Sequence, residues 1–556
     1  MTATLQVVNG RIHARAPFAM KERLKAIAGA RWAPDARAWT YPASPTIAQT
    51  LVEVLGTADT DAEVERLLAA AKLAIEAQAH READELPPIP CTATRPWLHQ
   101  LRAYHFVRDL HAWMLALDMG VGKTKVVVDL VCSLALRRVL VTCPLSVVPA
   151  WKKQFKLHAG RDDVRVVLLG NEINGVRAKA QHAESELSRW SGPVVLVINH
   201  ESLWREPFGA FALRQQWDLV VVDESHRAKA PGGQLSLYLA RLRDRAARRG
   251  CLTGTPMPHS PLDIYAQYRF LDPGIFGTSY QRFRMRYAVM GGYLQHQVVA
   301  FQNQDELAER FGSIAYRVMA GEVLDLPPVQ HITRTFALGV EEAKVYAGLE
   351  ADLIAEVREG TVTASNALVR LLRLQQVCSG YVRVDPSDVD PDDGREVQVG
   401  TSKRAMLADV LEDLPQREPL VVFCRFRHDL DSIAEVCRDA GRSCAELSGR
   451  RNELAHWQDG GADVLAVQIQ SGGVGIDLTR ARYAIYFSTS WSLGEYEQSL
   501  ARVHRPGQER PVIYIHLPAK GTVDEVVYKA LERKRDTIEA VLLRLRGCDE
   551  TEDENA

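Results

Sequence analysis

Leu115-Ala116-Leu117-Asp118-Met119-Gly120-Val121-Gly122-Lys123-Thr124 sets an apolar run ahead of two glycines, a lysine and a threonine. Glycines let successive backbone N–H groups wrap a phosphate, Lys123 neutralises it, and the Thr124 hydroxyl can ligate Mg²⁺. Gly120, Val121, Gly122, Lys123 and Thr124 are therefore candidate nucleotide-binding residues, and a helix is expected over 125–134. The general phosphate-loop pattern begins with glycine where this chain has Leu117. Taken alone, the stretch also fits a glycine turn before an ordinary helix.

Around it, between Cys91 and about Pro273, short β-branched runs alternate with helical stretches: Val139-Leu140-Val141, Val194 to Ile198, Leu219 to Val222, and Cys251-Leu252-Thr253. That alternation predicts a parallel α/β sheet over 91–273. The rhythm returns over 400–535, with Leu420 to Phe423, Val464 to Val467, Tyr483 to Phe487 and Val512 to Ile515, so a second α/β lobe is expected. Residues 274–399 lack it and carry helical segments such as Glu341 to Val357 and Ala364 to Val377, which read as protrusions.

Residues 1–58, with Trp32, Trp39 and Tyr41 among short apolar segments, read as a small α+β module. In 59–90, Val64, Leu68, Ala71 and Ile75 fall at helical spacing before Pro87, Pro88 and Pro90, predicting a helical connector. The end of the chain, 536–556, reads as a helix end followed by an acidic, solvated tail over 549–554.

A chain of 556 residues exceeds what one core serves, and its 46% hydrophobic content is enough to fill two or three. Its 68 Lys+Arg against 70 Asp+Glu nearly cancel, so a nucleic-acid partner has to be argued locally. There is neither an apolar run of about eighteen residues nor a secretory pattern, which points to an intracellular protein of cytoplasm or nucleoid with no membrane partner. Nine cysteines without a C-x-x-C pair suit reduced thiols, and no structural metal is expected. The alanine- and arginine-rich usage suits a GC-rich bacterial or viral genome.

Two further stretches carry chemistry. The strand Leu219 to Val222 delivers Asp223-Glu224-Ser225-His226 at its C-terminal end, where α/β sheets place ligand sites. Asp223 is expected to hold Mg²⁺ and Glu224 to orient the attacking water; a surface acidic turn is the plain alternative. In Gln498-Ser499-Leu500-Ala501-Arg502-Val503-His504-Arg505, two arginines three apart are expected on one helical face. They would serve a γ-phosphate held by the other lobe, the alternative being a solvated basic helix.

In this order the segments resemble the Swi/Snf-type ATPases, superfamily-two DNA translocases of two RecA-like lobes, over roughly residues 91–535. The resemblance implies ATP and Mg²⁺ as cofactors and duplex DNA as partner. It gives Gln100 the role of reading adenine, and Pro144 and Trp151 a place in a DNA-contacting segment. His226, Thr253, Gly254 and Thr255 would couple hydrolysis to lobe movement. Gly475 and Asp477 in the glycine-rich motif of lobe two, with Gln498, would bind the nucleotide, and Gly473 and Trp491 would serve coupling and DNA contact. Asp223-Glu224-Ser225-His226 with Lys229, Gln267 and Arg502-Val503-His504-Arg505 resembles the annealing-helicase branch, and Phe18, Leu24 to Ile27, Trp32 to Asp35 and Arg37 to Tyr41 resemble its HARP module. Asp118 replaces the expected glutamate, His259 an asparagine, and Ser492-Leu493 an Asn-Pro pair, while the basic run before the lobe linker is thinned to Arg317.

Physically, the N-terminal aromatics beside Arg15, Lys21, Lys25, Arg31 and Arg37 either stack on unpaired bases or form a small core under solvated charges. The expected function is a DNA-dependent ATPase that moves along duplex DNA without sequence preference, in replication, repair or recombination, with forks or branches as a narrower substrate to be reannealed. A strand-separating helicase is one alternative; a nucleotide-gated DNA-binding scaffold with little turnover is another, of a different class.

Overall fold

The computed structural model describes residues 3–291, 297–359, 364–383, 396–470 and 476–543. They fall into two units, Met1–Val323 with Thr537–Ala556, and Leu324–Asp536.

The first unit opens with a five-stranded sheet of β1 (Ala3–Val8), β2 (Arg11–Arg15), β3 (Arg31–Ala33), β4 (Ala38–Pro42) and β5 (Ala58–Thr60), in the order β3-β4-β2-β1-β5. Alternation along β1 and β2 turns Leu5, Ile12 and Ala14 inward, where they pack with Ile47, Leu51 and Val64. Val64 belongs to the helix Ala62–Ala77, capped by the Asp61 carboxylate, which accepts from Glu63 and Val64 N–H and also from Val7. The segment expected as a connector is thus part of the module's core, and β5 carries the module past residue 58. Tyr41, which the sequence left either stacking on bases or in a small core, is fully buried with its hydroxyl donating to Leu24 O at 2.8 Å.

Seven strands follow, all parallel: β6 (Ala112–Leu117), β7 (Arg138–Cys143), β8 (Arg165–Leu169), β9 (Val194–Asn199), β10 (Trp217–Asp223), β11 (Ala246–Leu252) and, after an antiparallel hairpin of β12 (Ala288–Gly291) and β13 (Gln297–Phe301), β14 (Ala315–Val318). Their order is β14-β6-β11-β10-β7-β9-β8. β6 and β9 are buried throughout, as a sheet covered on both faces requires.

The second unit has its own six-stranded parallel sheet, ordered β15-β22-β21-β18-β20-β19. Its strands are β15 (Val329–Thr333), β18 (Leu420–Cys424), β19 (Cys444–Leu447), β20 (Val464–Gln468), β21 (Tyr483–Tyr486) and β22 (Val512–His516); β16 (Tyr381–Arg383) and β17 (Glu396–Gln398) form a separate hairpin. Both units are RecA-like α/β lobes. The long helix Val340–Glu359 and the helix Ala364–Cys378 stand near their expected positions. The stretch 274–399, read as helical, also supplies β14 to the first sheet and β15 to the second. Both are four- to five-residue edge strands containing Arg317, Gln330 and His331, and pairing with β6 and β22 decides them where no apolar run does.

Candidate functional site

β6 releases the chain into residues 118–122 at the C-terminal edge of the first sheet. Gly120 and Gly122 take φ of +80° and +91°, and a Cβ on Gly122 would collide with the Gln100 side-chain amide. The helix Lys123–Ser133 follows with Gly122 as N-cap and no side-chain cap, leaving its first N–H groups available to an anion. It starts two residues before the expected position, which puts Lys123 and Thr124 in its first turn. Lys123 Nζ donates to Leu117 O at 2.8 Å and Asp118 O at 3.2 Å. Position 117 contributes a carbonyl, which leucine supplies as well as glycine does. Asp118 Oδ2 accepts from Ala320 N at 2.9 Å, tying the loop to the segment after β14.

Gln100 is buried against this loop, with Oε1 accepting from Trp97 N at 3.1 Å and Nε2 donating to Val121 O at 3.2 Å. The residue expected to read adenine is therefore held by the phosphate loop's own backbone.

Two strands away, β10 ends on Asp223, in register with Leu252 of β11. Asp223 Oδ1 accepts from Glu224 N at 3.0 Å and Oδ2 from Trp151 Nε1 at 3.1 Å. Trp151, expected in a DNA-contacting segment, is 1% exposed and positions this carboxylate instead; Pro144 is buried too, while Lys152, Lys153 and Lys156 of the same segment face solvent. Burial and the adjoining Glu224 push the Asp223 carboxyl upward, opposed by Lys123 and the Trp151 N–H. One carboxylate and the Thr124 hydroxyl make a donor set that suits Mg²⁺ when phosphate and water complete its shell. Among the described residues no group of three or more His, Cys, Asp or Glu side chains is arranged to hold a metal by itself.

Glu224 has φ 50° and ψ 50°, a left-handed conformation that a glutamate adopts only where its surroundings enforce it. Its side chain is buried, and among the described residues Oε2 makes no hydrogen bond, lying 3.4 Å from His226 Nδ1. Burial, with Lys229, Arg227 and Lys123 nearby, lowers the His226 ring to about 3, so it is neutral. His226 Nδ1 is 3.1 Å from Thr253 Oγ1, which accepts from Thr255 N at 3.1 Å; Thr253 N donates to Leu115 O at 3.1 Å. Gly254 and Thr255 follow, half-buried. One sheet edge thus collects Gln100, residues 120–124, Asp223, Glu224, His226 and residues 253–255. Read only as branch markers in the sequence, Ser225 and Gln267 meet here in a buried hydrogen bond at 2.7 Å.

In the second unit, Gly473 and Gly475 lie outside the described residues. Asp477 is exposed and folds into an Asx turn, Oδ1 accepting from Thr479 N at 2.9 Å. The helix Leu493–Val503 starts at Ser492, whose hydroxyl accepts from Glu495 N. This cap explains how serine works in place of the Asn-Pro pair. Gln498 is half-buried on the helix, and Trp491 packs partly buried beside Phe336 and Tyr346. Arg502 is buried near the helix end, but Arg505 lies past it, so the two do not share a helical face as expected. Arg505 Nη1 donates to Ile476 O at 3.0 Å, and its buried Nε has no hydrogen-bond partner among the described residues.

Residues 68–381 match the family model described as the SNF2-related domain, and residues 402–507 the helicase conserved C-terminal domain. The chain is 25% identical over 513 residues to DNA repair and recombination protein RDH54 of Saccharomyces cerevisiae, covering 82% of this chain and 53% of that protein. It is 24% identical over 489 residues to DNA repair and recombination protein RAD54B of Gallus gallus, covering 77% and 51%. The chain thus spans about half the length of these curated relatives. These relatives are RDH54 and RAD54B proteins rather than members of the HARP-containing branch that the sequence resembles. A solved Sulfolobus solfataricus SWI2/SNF2 ATPase core in complex with dsDNA is similar at 22% identity and TM-score 0.38, over 82% of this chain and 94% of that one. Among the described residues no helix is long and apolar enough to cross a membrane.

Proposed function

Because this chain belongs to the SNF2-related family of ATP-dependent enzymes, we propose that it hydrolyses ATP at the Lys123–Glu224 edge and uses the energy to move along duplex DNA. The observation that carries the reading is the pairing of an uncapped helix N-terminus behind left-handed glycines with a buried, strained Glu224 that keeps one carboxylate oxygen open. ATP supplies the phosphoryl group for transfer to water, with Mg²⁺ held through Asp223 and Thr124. Lys123 and the loop N–H groups bind the phosphates, Gln100 buttresses the loop through Val121 and is the candidate for the adenine edge, and Glu224 Oε2 accepts a hydrogen bond from the water and turns it toward phosphorus. Arg502 and Arg505 are the second unit's candidate catalytic cations. Backbone phosphates are the DNA contacts, which makes binding insensitive to sequence and sensitive to salt.

The experiment is ATP turnover across single-stranded, duplex and forked DNA and RNA. The proposal expects duplex DNA to raise kcat; equal turnover with and without every nucleic acid contradicts it.

A narrower reading, reannealing of forks or branches in repair and recombination, draws on the N-terminal module. Phe18 is 84% and Trp32 52% exposed, Lys21 Nζ lies 5.4 Å from the Phe18 ring centroid, and Arg15, Lys25, Arg31 and Arg37 are exposed in the same module. Such a surface stacks unpaired bases. Phe18→Ala with Trp32→Ala lowers fork preference while leaving duplex-stimulated turnover near wild type; unchanged fork preference rules this reading out.

A further inference from the structure

Ser225 and Gln267 are both almost fully buried, at 0% and 1% exposure. Ser225 Oγ donates to Gln267 Oε1 at 2.7 Å. The Gln267 amide nitrogen donates to Pro256 O at 2.8 Å and to Asp263 O at 3.0 Å, so both its N–H groups are used. One side chain, on the buried face of the helix Ile264–Leu271, therefore ties together two turns that leave adjacent parallel strands, Asp223–Ser225 after β10 and Thr253–Pro256 after β11. Two facts give the tie a purpose. Glu224 is held in a left-handed conformation that relaxes unless its neighbours prevent it, and Ser225 is the residue immediately after it. A further side-chain approach between these turns is that of His226 to Thr253, at 3.1 Å, on the following residue. Ser225–Gln267–Pro256 thus closes a second, parallel link around the same carboxylate.

Resting on the ATPase reading above, we propose that Gln267 is a positioning residue for hydrolysis. Through Ser225 it holds Glu224 in its left-handed turn, and through Pro256 it makes any movement of the 253–256 turn move that carboxylate. Gln267 touches neither nucleotide nor water; its effect is on where Glu224 Oε2 points. Binding of ATP, which rests on Lys123, Gln100 and the loop N–H groups, does not pass through it.

The test compares wild type with Gln267→Met, Ser225→Ala and the double variant, each first checked for a cooperative thermal transition. ATP turnover is measured with saturating duplex DNA, and amide exchange is followed over 224–228 and 255–257. Each single variant is expected to lower kcat about tenfold, as a small misplacement of a catalytic group does, with KM for ATP within about twofold. The double variant is expected to be no slower than the worse single one, since both break one chain of bonds. Amide exchange in the two turns should quicken together. Gln267→Met with wild-type kcat, losses that multiply in the double variant, or a KM that rises in proportion overturns the role. Should wild type turn over no ATP, the ATPase reading fails, and exchange unchanged by Gln267→Met in both turns still refutes the tie.

Discussion

Side chains whose surroundings leave them one use carry the chemistry. Glu224 keeps a buried oxygen without a hydrogen bond inside a strained turn. Glu224→Gln preserves shape and removes the charge that orients water, so kcat falls by about 10²-fold or more while ATP binding, read by a fluorescent analogue, stays within a few-fold of wild type. Gly122→Ala acts on the other half of the chemistry. Its φ of +91° and the Gln100 amide in the path of a Cβ mean that the loop has to deform, so nucleotide affinity drops at least tenfold; affinity unchanged in that variant removes the loop from the proposal. That Lys123, Thr124, Asp223 and Glu224 gather at one sheet edge was legible in the sequence, because glycines, a lysine and paired carboxylates at strand ends have few other uses together. Trp151 was not. A tryptophan beside three lysines reads as surface, and only the fold turns its N–H onto Asp223.

Among the elements, the helix Leu493–Val503 shows how a local rule survives a changed sequence. Ser492 caps it, and Ser492→Ala costs about 1 kcal/mol, seen as a lower thermal midpoint; an unchanged midpoint denies the cap its role. Trp151→Phe leaves the Asp223 Oδ2 short of a partner in a buried place, at a cost of about 1–3 kcal/mol, and lowers turnover as well as stability. Buried strands such as β7, β9 and β10 were readable as apolar runs, and the helices as periodic ones. β14 and β15 were not, because an edge strand of four or five residues with polar positions owes its existence to its neighbour. For the same reason the end of the helix between Arg502 and Arg505 escaped spacing arguments. A three-residue interval predicts a shared face only while the helix continues, and His504 ends it.

For the whole molecule, two RecA-like lobes and an N-terminal module each bring their own core. Burial lowers the His516 ring in the second sheet to about 3, with His331 and Arg535 adding to the effect. A folded-state value below the unfolded 6.5 means that the unfolded chain takes up the proton first. Stability from this group is complete above about pH 6.5 and declines below it, by about 2 kcal/mol at pH 5. Thermal midpoints measured from pH 7 to 5 should fall, and fall less in His516→Gln; equal slopes place the acid sensitivity elsewhere. The central claim, that hydrolysis at the Lys123–Glu224 edge drives movement along intact duplex DNA, is tested most directly by displacement of a third strand from a DNA triplex. Wild type is expected to release that strand from an unopened duplex in an ATP-dependent way, and Glu224→Gln not at all. Release without ATP, or by Glu224→Gln at the wild-type rate, contradicts it.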